Sequence, residues 1–338
     1  MTIKDIAQLS GYGIGTVSRV MNDQPGVSDK AKETILKVIR ESNFEPNENA
    51  RHLKRRSASS ICIIIKGKQN MLFADILERI QNQLSMMDED AMFEYIDEDG
   101  DEVECAIRLI RSRGPKGIMF LGANLSLFDE RIQQLNIPCM IVTTDGSTLD
   151  SKLISSVSVN DESATYEMIC YLIKKGHKNI GIIGGKQHSK QIASKRLDGC
   201  LRAFQDYHIP FLTEENYLPS RYTMESGYEA AKELLSKNPD ITALFAFSDT
   251  LAIGAMRAAC DLGLSVPEDL SIAGFDGINM ARYSIPRLTT IRQDTEALAV
   301  TGVTLLLKHT QYNLAVEHQE VPYDLVEGES VRTYTISS

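Results

Sequence analysis

Arg51, Lys54, Arg55 and Arg56 crowd round Leu53, the one large apolar side chain between Asn47 and Arg56. A lone leucine among basic residues builds no core. On a duplex it can be wedged between base steps in the minor groove while the cations neutralise phosphates. The alternative is a solvated linker, and what precedes the segment decides between them. A second basic cluster, Lys186, His188, Lys190, Lys195 and Arg196, follows Gly184-Gly185 in otherwise acidic surroundings. It either takes an anionic ligand, such as a phosphorylated sugar or an acidic metabolite, or is a rim of solvated charge.

Other chemistries find no constellation. The six cysteines are never closer than thirty positions, which gives neither a metal clip nor a redox pair, and reads as reduced thiols used as small hydrophobes. No H-E-x-x-H pattern is present. Gly11-x-Gly13-x-Gly15 lacks a preceding strand, and Gly184-Gly185-Lys186-Gln187 lacks the spacing of a P-loop, so neither is a phosphate cradle. These absences argue against an enzyme, a metal and a bound cofactor. No apolar run approaches the ~18–20 residues of a membrane helix, and the first twenty residues hold no signal-peptide stretch, so a cytoplasmic protein without membrane contact is expected.

The chain is 338 residues long and 43% hydrophobic, enough for about two domains and an appendage. Its net charge of −10 is uneven: residues 1–56 carry ten Lys/Arg against seven Asp/Glu, so a head of +3 sits on a body of −13. A basic head on an acidic body suits a nucleic-acid-binding module joined to a soluble domain. Within the head, Ile3–Leu9 has helical spacing, Ser10-Gly11-Tyr12-Gly13 breaks it, and Ile14–Asn22 resumes it with Val17, Val20 and Met21 as an apolar stripe. Ser28 caps a third helix whose buried face is Ile35, Leu36, Val38 and Ile39. Short helices joined by a glycine turn describe a helix-turn-helix unit, whose second helix enters the major groove. Directly behind such a unit, the wedge reading of Leu53 prevails.

From residue 59 the chain alternates strands and helices. Continuous apolar strands fit Ile61–Ile65, Met92–Ile96, Gly117–Leu121, Cys139–Thr143, Ile180–Gly184, Ala243–Phe247 and Ser271–Phe275. Helices fit Ala74–Met87, Val103–Arg113, Glu162–Lys175, Lys195–Tyr207, Glu225–Ser236 and Leu251–Leu262. The fold class is therefore α/β: a helix-turn-helix head and two doubly wound sheets side by side, with a ligand at the carboxyl ends of the strands.

Specific motifs sharpen this. Thr2-Ile3-Lys4-Asp5-Ile6-Ala7, Thr16-Val17-Ser18-Arg19-Val20-Met21-Asn22, Val27-Ser28, Pro46-Asn47 and Ala50-Arg51-x-Leu53 together resemble the lactose-repressor (LacI/GalR-type) family of bacterial transcription regulators. The likeness continues through Gly176-His177, Arg196-Leu197-Asp198-Gly199, Ser248-Asp249, Val266-Pro267-Glu268-Asp269 and Pro286-x-Leu288-Thr289-Thr290-Ile291. It implies a head at 1–46, a hinge helix and linker at 47–58, and a core at 59–338 shaped like a periplasmic sugar-binding protein. Lobe one would be about 59–158 and 289–320, lobe two about 159–288 and 321–338, with three crossings between them.

The resemblance also implies a homodimer that grips a pseudo-palindromic operator and bends it with Leu53, beside Ala50. Where the family usually has a capping Ser, this chain has Gly13; the positions that commonly read bases are Ile14 and Gly15. Ile14 offers only apolar contact, so base reading falls to Arg19 and Thr16, with Ser18 and Asn22 on phosphates. The positions matching the family's effector contacts are Phe73, Lys190, Arg196, Tyr222, Ser248 and Asp276. Tyr222 and Phe73 can stack on a ring, Asp276 accepts hydroxyl protons and Arg196 donates. Asp276 can equally be a turn former before Gly277. The acid often found at the end of the strand after Ile137-Pro138 is here Thr143-Thr144, with Asp145 displaced. Asp249 is expected to cap the helix from Leu251, and His177 to be structural. No heptad tail suggests a tetramer. The expectation is an effector-controlled repressor, not an enzyme; the alternative is a cytoplasmic sugar-binding protein with no DNA function.

Overall fold

The structure, a computed structural model, describes residues 3–21, 26–42, 60–129, 131–187 and 192–334. It divides into two units, Met1–Arg56 and Ser57–Ser338.

In the first unit, α1 (Ile3–Ser10), α2 (Ile14–Met21) and α3 (Asp29–Glu41) enclose a small core of Ile6, Ala7, Val17, Val20 and Ile35. Gly11 closes the turn between α1 and α2 with φ +74°, a left-handed backbone that costs glycine little. Ser28 caps α3 as expected, its Oγ accepting the Ala31 N–H.

The second unit holds two six-stranded sheets. Sheet one contains β1 (Ile61–Lys66), β2 (Ala91–Ile96), β3 (Gly117–Leu121), β4 (Cys139–Val142) and β5 (Ile154–Ser158), joined late in the chain by β11 (His318–Glu320); its order is β11-β5-β4-β3-β1-β2. Sheet two contains β6 (Ile180–Gly184), β7 (Tyr217–Pro219), β8 (Ala243–Ala246), β9 (Ser271–Asp276), β10 (Thr289–Gln293) and β12 (Tyr323–Val326), in the order β12-β10-β9-β8-β6-β7. Every pairing is parallel except β10 with β12. The two sheets thus repeat one doubly wound topology, and β2 and β7 hold equivalent edge positions.

Strand side chains explain the layering. Ile61, Ile63 and Ile65 face Leu72, Ile76 and Ile80 of α4 (Met71–Met86), whereas Cys62 and Ile64 face Val103, Ala106 and Ile107 of α5 (Glu102–Arg113). A strand covered on both faces must be apolar at every position, which is why these runs lack alternation. In sheet two, α6 (Asp161–Lys174) and α7 (Ile192–Asp206) cover one face, and α8 (Met224–Lys237) and α9 (Asp249–Asp261) the other. These pairs cross at glycines. A Cβ on Gly199 would lie 2.1 Å from the Glu162 carbonyl oxygen, and one on Gly254 2.1 Å from that of Met224.

The chain crosses between lobes after Ser158, after Gln293 and after Glu320. The sequence boundary at 289 therefore shifts. Thr289–Gln293 pairs with β9 in sheet two, and the return to lobe one begins with α10 (Thr295–Tyr312), which packs on α4. Thr-Thr-Ile-Arg-Gln carries too little apolar character to be read as a buried strand; its threonines are buried with partners, Thr290 Oγ1 donating to Asp249 Oδ1 and Thr289 Oγ1 accepting the Gly328 N–H. The reading of Met92–Ile96 as one of the continuous apolar strands also needs amending. As an edge strand it leaves Phe93 and Tyr95 37% and 50% exposed.

Candidate functional site

On the head, α2 separates two kinds of side chain. Val17 and Val20 are buried in the three-helix core, while Ile14, Gly15 and Arg19 are exposed and Thr16 is half-buried. A Cβ on Gly15 would meet nothing within 4 Å, so the start of α2 is a bare helix edge that can approach another molecule closely. Of Ser18 only the backbone is described. Asn22, Ala50, Arg51, Leu53 and Lys54 lie outside the described residues.

In lobe two, Arg196 is the centre. It is 4% exposed and projects from α7. Its Nε donates to Asp161 Oδ1 at 2.8 Å, Nη1 donates to the Phe247 carbonyl, and Nη2 stands 3.9 Å from Asp276 Oδ1. The guanidinium also lies 3.7 Å from the Phe275 ring centre. Burial works against its charge, but Asp161 and Asp276 outweigh that and hold its pKa up. Asp276 ends β9 at φ +116°, an unusual conformation for a non-glycine residue. Gln293, ending β10, donates Nε2–H to Asp276 Oδ1 at 2.9 Å. Burial pushes Asp276 up to about 7, with Arg196 and Gln293 opposing.

Tyr222 stands beside this group. Its ring packs on Gly185, where a Cβ would come within 3.0 Å of the hydroxyl. Burial raises its pKa to about 12, and it senses the charges of Arg196, Glu98, Asp276 and Asp161. Among the described residues, Tyr222 Oη and Gln293 Oε1 are buried with no hydrogen-bond partner. Buried polar atoms are nearly always satisfied, so two orphans beside a buried arginine and aspartate mark a place for a polar guest.

Lobe one supplies the facing wall. Asn70 caps α4, and Phe73 on its first turn is buried against Gly122 after β3; a Cβ there would lie 2.8 Å from the ring. Thr143 follows β4 at φ +75°, the position in sheet one that corresponds to Asp276 in sheet two. The lobes meet through charge. Lys195 Nζ bonds Asp145 Oδ2 at 2.9 Å and Lys186 Nζ bonds Asp99 Oδ1 at 3.3 Å. Arg221 Nη2 donates to Asp97 Oδ1 at 2.7 Å, and the Tyr222 N–H donates to Glu98 Oε2 at 3.1 Å. Burial raises the Glu98 pKa against the opposing pull of the Tyr222 amide and Arg221.

The structure thus brings Arg196, Tyr222 and Asp276 together at the carboxyl ends of sheet two, where a doubly wound sheet binds ligands. Phe73 sits at the matching end of sheet one. Ser248 follows β8, but its Oγ accepts the Leu251 N–H at 3.2 Å and caps α9. Asp249, expected as that cap, instead braces the loop after β9: Oδ2 accepts the Ile278 N–H at 2.8 Å and Oδ1 the Thr290 hydroxyl. His177 is buried, its ring nitrogens 3.0 Å from Thr242 Oγ1 and 3.2 Å from the Arg332 carbonyl oxygen. Lys190 and His188 lie outside the described residues; the other cations of that loop, Lys186, Lys195 and Arg196, each have a carboxylate partner. Sequence reasoning missed Asp161, Gln293 and Glu98; Asp145, noted as a displaced acid, pairs with Lys195. The one signal available was the helix start at Asn160-Asp161; the others are joined to the site only by the fold. Among the described residues no cluster has metal-ligand geometry, and no helix is long and apolar enough to cross a membrane.

Two family models match the chain: bacterial regulatory proteins of the lacI family over residues 2–47, and the periplasmic binding protein-like domain over 169–331. The HTH-type transcriptional regulator MalR of Clostridium butyricum is 33% identical over 338 residues, spanning 98% of this chain and 99% of that one. The probable HTH-type transcriptional repressor ExuR of Bacillus subtilis is 33% identical, covering 91% of each. Among solved structures, a LacI family transcriptional regulator from Enterococcus faecium with bound ribose superposes with a TM-score of 0.71 at 25% identity, covering 82% of this chain and 100% of that one.

Proposed function

The chain belongs to the LacI family of bacterial regulatory proteins, and from that premise we propose a homodimeric cytoplasmic repressor whose hold on operator DNA is set by an uncharged, polyhydroxylated molecule bound between its lobes. The observation that carries the ligand class is the pair of orphaned buried atoms, Tyr222 Oη and Gln293 Oε1, beside Arg196 and Asp276. Together they offer donors and acceptors suited to sugar hydroxyls, with the Phe73 and Tyr222 rings as apolar walls. An anionic effector is less well served. Lys186, Lys195 and Arg196 are already neutralised, and a phosphate would meet Glu98, Asp161 and Asp276. The relatives support the same class, since the E. faecium regulator was solved with ribose.

On the DNA side, exposed Arg19 reads a guanine and Ile14 a thymine methyl, while Leu53 wedges the centre of the operator and Arg51 and Lys54 hold phosphates. Met280, Tyr283 and Ile285 expose apolar surface on one short segment, with Ile285 95% exposed, and give the core a face for its second copy. Effector and operator alter each other's affinity by one common factor.

Two measurements on the full chain test this. In calorimetry against neutral sugars, uronates and phosphosugars, a neutral sugar binds and Arg196→Ala abolishes it; binding of phosphosugars alone overturns the ligand class. In gel shifts on promoter fragments, Arg19→Ala costs about 1–3 kcal/mol of specific binding, and Leu53→Ala removes the bend while sugar affinity stays intact. A chain that shifts no fragment with or without sugar returns the protein to the pure sugar-binding alternative.

A further inference from the structure

The loops that follow β2 and β7 occupy equivalent places in the two sheets, each leaving the edge strand beside the first strand of its lobe. Across the seam between lobes they grip each other. Arg221 faces three consecutive carboxylates, with Nη2 2.7 Å from Asp97 Oδ1, Nε 3.7 Å from Glu98 Oε2 and Nη1 3.5 Å from Asp99 Oδ2. Lys186 adds a contact of 3.3 Å to Asp99. Isolated surface pairs count for little, but several acids on one guanidinium, with geometry fixed by neighbouring backbone, act as a network.

Glu98 differs from its two neighbours. Its side chain is 26% exposed against 65% for Asp97 and 55% for Asp99, and its carboxylate accepts the Tyr222 backbone N–H, Oε2 at 3.1 Å and Oε1 at 3.4 Å. Tyr222 is the residue whose hydroxyl, over Gly185, is buried without a hydrogen-bond partner among the described residues. A lobe-one carboxylate therefore fixes the main chain of the lobe-two residue whose buried hydroxyl stands beside Arg196 and Asp276.

We propose that Glu98 is a positioning residue of the effector pocket, reaching from lobe one to clasp Arg221 and the Tyr222 amide so that the Tyr222 hydroxyl is presented only when the lobes are shut. The proposal rests on the reading of this pocket as the effector site. It makes closure sensitive to ionic strength even for an effector without charge, because the clasp is ionic while the pocket's contacts to hydroxyls are not.

Hydrogen–deuterium exchange of the full chain, followed by mass spectrometry without added ligand, tests the clasp directly. A charge-assisted bond to an amide, once lost, speeds local exchange by about tenfold. Glu98→Ala should do so in the peptide containing Tyr222 and leave the melting temperature and other peptides unchanged; 1 M salt should do the same to the wild type. Arg221→Glu should mimic Glu98→Ala, and adding Asp97→Arg should restore protection. Equal exchange at Tyr222 in wild type and Glu98→Ala overturns the proposal, as does a loss of protection spread over the whole core, which would make Glu98 merely structural. Calorimetry with the neutral sugars then separates the two readings. If one binds, Glu98→Ala raises its Kd about tenfold, and an unchanged Kd overturns the positioning role. If none binds the wild type while the exchange result holds, the clasp stands and the ligand class falls.

Discussion

Arg196 and Asp161 meet at 2.8 Å with side chains only 5% and 4% exposed, joining α7 to the first turn of α6 where the chain first enters lobe two. Burying two charges is costly, so the pair is worth far more intact than halved. Asp161→Ala is expected to destabilise the core by about 3–5 kcal/mol by leaving a buried guanidinium short of a partner. The double variant Asp161→Leu with Arg196→Met should recover much of that loss in denaturant melts while abolishing sugar binding. Recovery of binding would show that Arg196 does not touch the ligand.

Asp276 supplies a pH signature. Its folded pKa is raised to about 7 by burial, above the ordinary 3.8, so the fold favours the protonated acid. That contribution is full below about pH 4 and is lost as pH rises through 7. Asp276→Asn keeps the shape without the charge. It should melt with the wild type near pH 4 and above it at pH 8, by on the order of 3 kcal/mol. A constant difference across the range would mean that Asp276 ionises normally.

His309 gives the opposite slope. It is buried on α10, its Nδ1 has no hydrogen-bond partner among the described residues, and burial lowers its pKa below 6.5. A neutral imidazole is favoured in the fold, so its stabilising contribution is present above about pH 6.5 and lost as pH falls through the folded value. His309→Leu should stabilise lobe one by about 1 kcal/mol at neutral pH by removing the orphaned nitrogen, and should flatten the acid limb of the melting curve. An unchanged acid limb refutes this.

Much of the architecture was legible because buried parallel strands are apolar at every position; Ile61–Ile65 and Gly117–Leu121 announce themselves. Ile154–Ser158 did not, since Ser155, Ser156 and Ser158 are buried there on borrowed partners: the Glu317 N–H for Ser155, and the Gly146 N–H and His318 ring for Ser156. Glu317 and His318 are remote in the chain and Gly146 lies ten residues upstream, so no local pattern carries the strand. The site divides the same way. Arg196 and Asp276 stand in motifs, whereas Glu98 acquires its place only when an edge loop of one lobe meets its counterpart on the other. The cap fell to Ser248 instead of Asp249 because either can cap a helix, and only the bonds of Asp249 to Thr290 and the Ile278 amide settle which one does.

Gly122 separates pocket from scaffold. Its φ of +77° strains any other residue, and a Cβ would strike the Phe73 ring at 2.8 Å. Gly122→Val should push Phe73 out of place, weakening sugar affinity at least tenfold and costing the core about 1–3 kcal/mol. Phe73→Leu should lose affinity with a smaller stability change. Sugar affinity that survives both would remove Phe73 from the pocket.

Both sheets are finished by short strands near residue 320, β11 in one and β12 in the other, and the tail beyond continues to fasten lobe two: Ser330 Oγ accepts the Thr289 N–H and donates to the Ile272 carbonyl. The head, by contrast, closes its own core within the first forty-odd residues. During translation the DNA reader can fold long before either lobe is complete, so a premature stop or a proteolytic cut ahead of His318 leaves a finished reader attached to two unfinished sheets with bare edges. Such a fragment has lost its regulation and gained a tendency to aggregate.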